Sequence, residues 1–441
     1  MPVLSLPSAL PHGQLCRSTI ATLLGLAFGA SIANAQPSLT LDSALQIAQQ
    51  RSRQLSAQDY AASASRDMAV AAGQLPDPTL KAGIVDLPVN GPDRFSLTRD
   101  FMTMRSIGVM QEFTRSDKRE ARSARFQREA EVAEAGRAVA LANLQRDTAA
   151  AWLERHYQER VRAVLVTQRD EAALQVEGAD VAYRGARGSQ ADVFAARSQA
   201  AVIEDRILLS DRQIATASTK LARWVGEAAK LELGLTPNLA TLPLDASRLE
   251  VEIAEHPQIA MLTRQEEFAR AEAEVARSNK RSDWSVELMY SQRGPSYSNM
   301  VSLNVSIPLQ VDPANRQNRE LAAKLALADQ VHDQREEAVR ERLAQVRSWL
   351  QEWQNNRDRL MHYDSRLVPL AAERTRAAMA SYRGGGLLGD VLEARRMELD
   401  TRLERLRLEM ETASLWAQLS YLVPIEGRAA FPGASSPVKE K

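Results

Sequence analysis

The residue types that could carry out catalysis or bind a metal are few in this sequence and lie far apart. It contains five histidines and one cysteine, Cys16. The four histidines after residue 35 show no zinc-ligand spacing: His156, His256, His332 and His362. We interpret them as ordinary surface or interface residues, and we predict no catalytic residues, no cofactor and no metal site in this chain.

Ionisable residues do recur in two related motifs. Tyr183-Arg184-Gly185 precedes Asp192-Val193-Phe194-Ala195, and Tyr382-Arg383-Gly384 precedes Asp390-Val391-Leu392-Glu393-Ala394. Neither motif holds a nucleophile, base and acid, so we do not expect an enzyme. The run Gly384-Gly385-Gly386 lies between long helical stretches and does not follow a strand, as a phosphate-binding loop would. A hairpin tip is the simpler interpretation of these glycines.

The overall composition favours long helices and gives no sign of a nucleic-acid partner. Lys plus Arg and Asp plus Glu are equal at 56 each, so no global field would attract nucleic acid. Aromatic residues make up only 5% of the chain, and its apolar residues are mainly Ala, Leu and Val. Such a mixture is typical of extended helical proteins.

Residues 1–35 have the pattern of a secretory signal peptide. Arg17 precedes an uncharged apolar run, and Ala33-Asn34-Ala35 matches the small-x-small cleavage pattern. The run is short for a membrane-spanning helix, so cleavage near Ala35 is favoured over a membrane anchor. Because Cys16 precedes the run, cleavage would leave a chain with no cysteine, no disulfide and no N-terminal lipid.

The two motifs belong to a longer internal repeat. Tyr183 and Tyr382 are about 200 residues apart, and Met104 to Phe113 matches Met300 to Leu309 at nearly the same offset. Self-similarity at a fixed offset indicates a duplication. We predict a first structural repeat over 36–240, a second over 241–425 and a flexible tail over 426–441.

Each repeat contains long stretches with high helix propensity. They are rich in Ala, Glu, Arg, Leu and Gln, and no proline occurs between Pro92 and Pro237 or between Pro313 and Pro369. A helix of about 65 residues is ~100 Å long and must pack against others as a coiled coil. We predict lead-in helices at about 41–72 and 249–278, and helical hairpins at about 118–226 (helices 118–182 and 189–225) and 316–422 (helices 316–381 and 388–422).

Two β-hairpins, at about 79–113 and 284–309, precede these helical hairpins. Trp284, Val286, Leu288 and Tyr290 alternate with Ser285, Glu287, Met289 and Ser291. Strict alternation over about nine residues suits a tilted transmembrane strand whose polar face lines a wet lumen. A small soluble sheet is the alternative interpretation.

Four strands cannot close a membrane barrel by themselves. An open sheet edge in lipid leaves backbone groups unpaired at several kcal/mol each, so closure requires several chains. Three copies give twelve strands, whereas an eight-stranded dimer would be too narrow for a conduit. The linkers Pro88 to Met102 and Gln292 to Asn299 would then be loops at the outer surface.

The duplicated plan and the Tyr-x-x-Gly-type motif leading to Asp-Val-(Leu/Phe)-x-Ala resemble the TolC-like outer-membrane efflux proteins. The resemblance covers nearly all of the chain after residue 35. It implies a mainly α homotrimer, with a twelve-stranded β-barrel in the outer-membrane lipid and a periplasmic α-barrel of helical hairpins. It also implies two partners in a tripartite efflux pump: a periplasmic adaptor (membrane fusion) protein and an inner-membrane transporter.

Three segments are most similar to the heavy-metal branch of that family: Gln74 to Pro78, Phe101 to Met104 and Gly108 to Phe113. The resemblance implies export of heavy-metal cations with a transporter of the resistance-nodulation-division (RND) class. A duct for organic toxins, drugs or type I secretion stays open. A periplasmic adaptor or coiled-coil protein is a rival of a different class. The long helices fit a coiled-coil spacer equally well, whereas an adaptor would have one helical hairpin flanked by β-rich domains.

In the family, the two Tyr motifs lie at the periplasmic tip, where an acidic residue of the second motif helps to hold the entrance shut. The resemblance therefore implies these gate or tip residues: Tyr183, Arg187, Asp192, Tyr382, Asp390 and Glu393. Turn formation and helix capping explain Asp and Gly at helix breaks equally well. The second motif is one residue shorter between Tyr and Asp, which leaves the register of Asp390 and Glu393 open.

Overall fold

The computed structural model describes residues 38–244 and 248–424. Over these ranges the chain is mainly helical with one four-stranded sheet, which confirms the predicted fold class of the single chain. The predicted signal peptide and the tail over 426–441 lie outside the described residues. No helix within the described ranges is both long enough and apolar enough to cross a membrane.

The first half begins with two helices, where the sequence predicted one lead-in helix. Its elements are α1 (Leu41–Arg51), α2 (Arg53–Ala72), β1 (Thr79–Val85), β2 (Met104–Phe113), α3 (Ser116–Arg184) and α4 (Gln190–Val225). Ser52 separates α1 from α2 because its extended backbone ends α1 and its side chain caps α2, accepting a hydrogen bond from the Leu55 N–H at 3.3 Å.

The second half repeats this succession of elements. It contains α5 (Leu249–Ala254), α6 (Pro257–Ser278), β3 (Trp284–Gln292), β4 (Met300–Ser306), α7 (Gln317–His362), α8 (Val368–Arg383) and α9 (Leu388–Ser420). Two lead-in helices, a β-hairpin and a long helical hairpin therefore occur twice. The duplication and the predicted repeat boundaries themselves stay predictions.

The long helix predicted over 316–381 is divided at a π-helical turn, Tyr363–Leu367. Pro369 follows in the first turn of α8. Proline has no N–H, and its ring would clash with the carbonyl four residues earlier, here that of Ser365. Widening the preceding turn avoids this clash, so the helical path continues from α7 into α8 with an altered register.

The two β-hairpins join into one antiparallel sheet of order β1-β2-β3-β4. Its centre is the pairing of β2 with β3, which connects the two halves of the chain. A typical row across the sheet runs Lys81, Gly108, Met289, Ser302. Among the described residues β1 and β4 each pair on one side only, so both sheet edges are open.

The main core lies where α1, α3, α4, α7 and α9 meet. Trp152 and Leu221 are fully buried there. The Trp152 indole N–H donates to the Leu39 carbonyl oxygen at 2.9 Å, and the Trp416 indole N–H donates to that of Thr241 at 2.9 Å. Helix α3, with 69 residues and a length of ~100 Å, passes through this core. The sheet and the turn after α3 therefore lie at opposite ends of a long helical body.

Candidate functional sites at the sheet and the helix tips

The sheet has an apolar face and a polar face, because side chains alternate along each strand and the register is unbroken. The apolar face includes seven residues that each expose more than half of their surface: Leu80, Ile84, Ile107, Leu288, Val301, Leu303 and Val305. A contiguous exposed apolar surface marks a contact with lipid or with a partner protein. The polar face includes Thr79, Lys81, Ser106, Glu287, Ser302 and Asn304.

An ion pair crosses the polar face. The Lys81 ammonium lies 2.8 Å from a Glu287 carboxylate oxygen, although β2 separates their strands. Gly108 of β2 is the register partner of Lys81 and of Met289. A Cβ atom at Gly108 would lie 2.8 Å from the Leu288 carbonyl oxygen, so only glycine fits this position without a shift in the sheet. The polar face therefore carries the Lys81–Glu287 ion pair next to Gly108, where no side chain covers the sheet.

At the other end of the helical body, two helix turns lie side by side. Residues 185–189 connect α3 to α4, and residues 384–387 connect α8 to α9. A small apolar cluster joins them, in which Ala179 and Val193 pack with Leu388 and Val391. The Gln199 side chain also donates to the Leu392 carbonyl oxygen at 3.1 Å. The two Tyr motifs, far apart in sequence, thus form one tip.

Asp192 caps the start of α4. Its carboxylate accepts hydrogen bonds from the Ser189 backbone N–H at 2.9 Å and the Ser189 hydroxyl at 2.7 Å, while the Asp192 N–H donates back to that hydroxyl oxygen. These hydrogen bonds hold the pKa of Asp192 below its usual range. This is a complete capping box, so the capping interpretation of Asp192 has a direct structural basis.

Asp390 occupies the same position in α9 that Asp192 occupies in α4, namely the third residue of the helix. The one-residue difference between the motifs is absorbed in the turn, which has five residues before α4 and four before α9. Leu387 precedes α9 and offers no side-chain cap. The Asp390 carboxylate is exposed and makes no hydrogen bond or ion pair with any part of the chain that the structure describes.

The remaining predicted tip residues differ in burial and in their contacts. Glu393 lies one turn after Asp390, with its carboxylate 3.5 Å from the Arg374 guanidinium of α8. Tyr382 packs against the apolar cluster, whereas Tyr183 and Arg187 are exposed around the α3–α4 turn. The structure brings Tyr382 and Glu393 onto the α8–α9 hairpin with Asp390, and it leaves Asp192 bonded within its own turn.

Sequence reasoning missed the charged network just above the tip. The Arg395 guanidinium lies 2.8 Å from a Glu171 carboxylate oxygen and 3.6 Å from that of Glu398. Glu398 is buried and also binds Arg402 at 2.6 Å. The spacing Arg395, Glu398, Arg402 is the i, i+3 and i+4 pattern of helical ion pairs, which could have indicated it. A cavity of about 340 Å³ lies beside Arg395 and Tyr382.

The described residues contain no group of three or more His, Cys, Asp or Glu side chains that could hold a metal ion. The histidines are far apart: His256 caps α6 by accepting the Gln258 N–H at 3.1 Å, and His332 lies 3.3 Å from Glu266. Burial and, to a smaller extent, the nearby charges of Arg342 and Arg146 together lower the pKa of His256 to about 4.

The arrangement of the two-faced sheet and the long paired hairpins is also found in solved outer-membrane channel structures. The chain is similar to the solved structure of the outer-membrane protein VceC from Vibrio cholerae, with a TM-score of 0.71, 18% identity, and 87% of this chain and 95% of VceC covered. It is similar to CusC, with a TM-score of 0.70, 17% identity and coverage of 88% and 93%.

A third similar structure is the open state of the MtrE outer-membrane channel from Neisseria gonorrhoeae. The TM-score is 0.68, the identity is 16%, and the match covers 87% of this chain and 88% of MtrE. No protein-family model matches the sequence. No curated protein matches it either. At these identities the likeness establishes the fold.

Proposed function

We propose that this chain is the outer-membrane channel of a tripartite efflux pump and acts as a homotrimer. The four-stranded sheet carries the proposal, since it exposes an apolar face, turns a polar face the other way and leaves both edges open. In lipid, open edges are too costly to persist, and three copies joined edge to edge remove them in a twelve-stranded barrel. The polar face then lines the lumen.

The helical body supports the same assembly. Helix α4 exposes Phe194, Val202 and Leu208, each by more than half of its surface, along a side that no other described element covers. Three copies packed around one axis would bury such a side against the neighbouring hairpin and extend the lumen along α3 to the tip. The tip is the part that would meet a periplasmic adaptor and an inner-membrane transporter of the RND class.

The gate of this channel is assigned to Asp390 and Glu393 at the tip. Asp390 has no capping role, and within residues 38–244 and 248–424 Glu393 makes one ion pair, at 3.5 Å, so both carboxylates are available to neighbouring copies around the axis. Tyr382 supports their hairpin from the apolar cluster. Tyr183, Arg187 and Asp192 shape the adjacent turn. Heavy-metal cations are the proposed substrate, on the resemblance of residues 74–78, 101–104 and 108–113 to that branch.

Membrane fractionation tests the assembly. We expect the full chain in the outer-membrane fraction of a Gram-negative host, running as an SDS-resistant trimer that heating converts to monomer. A soluble periplasmic monomer would contradict the proposal. For the substrate, co-expression with a heavy-metal RND exporter and its adaptor should raise the tolerated metal concentration in a strain that lacks its own channel.

Single-channel recording in a planar bilayer tests the gate. The double variant Asp390→Ala with Glu393→Ala should raise the conductance, because it removes acidic groups at the closed entrance. Glu373→Ala is the matched control, since Glu373 is an exposed acidic residue of α8 that pairs within its own helix, 2.7 Å from Arg376. Equal conductance in the double variant and the control would refute the gate assignment.

A further inference from the structure

Four methionines lie on the polar face of the sheet: Met104, Met110, Met289 and Met300. The chain has twelve methionines in all, and the four strands hold no other. The apolar face contains none, although lipid contact would suit an apolar thioether. Apart from Val85, the polar face consists otherwise of Ser, Thr, Asn, Lys, Glu and Gly. These methionines therefore need an explanation other than burial.

Three of them follow a diagonal across the sheet. Met110 faces Glu287 in the register, and Met289 lies two residues further along β3. Met289 faces Ser302, and Met300 lies two residues before it on β4. Diagonal neighbours on one face are within about 7–8 Å, which long side chains can bridge. Met110, Met289 and Met300 thus form a row in which each thioether can reach the next; we call it the methionine row.

The surroundings of the methionine row leave it accessible. Gly108 is beside Met289 and has no side chain; a Cβ there would lie 3.1 Å from the Met289 Cβ. Met300 exposes about half of its surface. Two basic groups border this face: Lys81 is paired with Glu287 at 2.8 Å, and the Arg293 guanidinium donates to the Phe101 carbonyl oxygen and lies over the Tyr297 ring. A small ion could therefore contact the sulfur atoms from the open side of the sheet.

Thioether sulfur is neutral and polarizable, and it binds soft cations such as Cu(I), whereas Mg²⁺ and Ca²⁺ prefer oxygen ligands. We propose that the methionine row is a series of weak thioether sites for soft monovalent cations, Cu(I) or Ag(I). The inference rests on the proposed function, in which the polar face lines the lumen. Weak adjacent sites suit conduction, because an ion must enter readily and also leave.

Methyl NMR of the full trimer in detergent, labelled with [methyl-¹³C]methionine and titrated with silver nitrate in chloride-free buffer, tests this directly. Met68 and Met361 are internal references, since both are exposed on helices away from the sheet. A second thioether on the same surface acts at high effective concentration, so the row should half-saturate at about tenfold lower Ag(I) than the references. Zinc should shift neither group.

The triple variant Met110→Leu, Met289→Leu, Met300→Leu keeps the side-chain volume and should lose the high-affinity phase. The control Met68→Leu, Met361→Leu should retain it. Both must run as heat-modifiable trimers, which shows that they fold. If the methyl signals of the methionine row half-saturate at the same Ag(I) concentration as those of Met68 and Met361, the proposal is overturned, even in a chain that conducts. An early response in a chain that fails to conduct would support it and count against the channel function instead.

Discussion

The Lys81 ammonium and the Glu287 carboxylate are 2.8 Å apart on the polar face of the sheet, although strand β2 lies between their own strands. Gly108 of β2 is the register partner of Lys81 and has no side chain on this face. The ion pair thus adds a side-chain contact between the first β-hairpin and the second, beside the backbone pairing of β2 with β3. The Glu287 side chain is only 16% exposed, against 42% for Lys81.

Replacing Gly108 by alanine should destabilise the sheet. The new Cβ would lie 2.8 Å from the Leu288 carbonyl oxygen and 3.1 Å from the Met289 Cα, and both belong to the paired strand. Overpacking of this kind costs about 1–3 kcal/mol in the free energy of unfolding. We expect the temperature at which the folded form converts to monomer on SDS gels to fall.

Gly83→Ala is the matched control for this change. Gly83 lies on the same face, one strand away, and a Cβ there would meet only the Ser106 hydroxyl oxygen, at 3.9 Å. The Gly83→Ala variant should convert to monomer on SDS gels at nearly the same temperature as the parent protein. A Gly108→Ala variant as stable as Gly83→Ala and the parent would show that the sheet accommodates the Cβ at Gly108.

At the tip, Asp192→Ala and Asp390→Ala should have different effects on local stability. Asp192 closes a capping box with Ser189, and removing a cap costs about 1 kcal/mol, or about a fivefold faster exchange of the first amides of α4. Asp390 caps nothing, so its variant should leave the amides of α9 unchanged. Hydrogen exchange followed by mass spectrometry measures both. Faster exchange of the first α9 amides in the Asp390 variant would show that Asp390 also stabilises the start of its helix.

The capping box also predicts a pH dependence at the tip. Hydrogen bonds from Ser189 lower the pKa of Asp192, so the folded state prefers the carboxylate. Its contribution is complete above the unfolded pKa of about 4 and disappears as the pH falls through the lower folded value. The protection of the first amides of α4, taken relative to their intrinsic exchange rate at each pH, should therefore fall in acid in the parent protein but not in Asp192→Ala.

The helices and strands were predictable because their signals are local. Proline-free stretches of strong helix formers become α3 and α4, and the alternation from Trp284 onward becomes β3. The helix predicted over 316–381 runs through Pro369 without a break, whereas the structure has a π-helical turn just before this proline. Pro369, which the altered turn accommodates, was the available signal.

The candidate sites were predictable only in part. The two Tyr motifs indicated the tip, but the sequence could not show that Asp192 is bound by Ser189 while Asp390 has no partner in the described chain. That difference depends on Ser189 and Leu387, the residues before the two helices. The ion pair of Lys81 with Glu287 spans 206 positions and depends on the register of three strands, which no local pattern specifies.

His256 should make the fold less stable in acid. Burial lowers its pKa to about 4 in the folded chain, against an ordinary value of 6.5. Between these values the unfolded chain binds more protons, so stability falls as the pH falls from 6.5 towards 4. One pKa unit corresponds to about 1.4 kcal/mol, so the free energy of unfolding should fall by about 3 kcal/mol per chain over this pH window.

The variant His256→Asn should remove most of this slope, because asparagine can also cap α6 but does not titrate. Denaturant unfolding at pH 7 and pH 4.5 provides the comparison, and the difference between parent and variant isolates His256 from the other histidines. A titration of the His256 ring by NMR should give a midpoint near 4. A variant with the pH dependence of the parent would exclude His256 as its source.

The core around Trp152 should be sensitive to loss of one hydrogen-bond donor. Trp152 is fully buried, and its indole N–H donates to the Leu39 carbonyl oxygen, which ties the start of the described chain to α3. Trp152→Phe removes this bond and leaves a small cavity, at an expected cost of about 1–3 kcal/mol. Trp416→Phe should behave similarly, because its N–H donates to the Thr241 carbonyl oxygen at 2.9 Å.

Trp224→Phe is the control for both variants. Trp224 borders the same core but is only half-buried, and its indole N–H has no hydrogen-bond acceptor among residues 38–244 and 248–424. Thermal unfolding in detergent, followed by near-ultraviolet circular dichroism, should rank Trp152→Phe and Trp416→Phe well below Trp224→Phe. If all three lose the same stability, the two hydrogen bonds contribute little, and the segments at Leu39 and Thr241 are held by apolar packing alone.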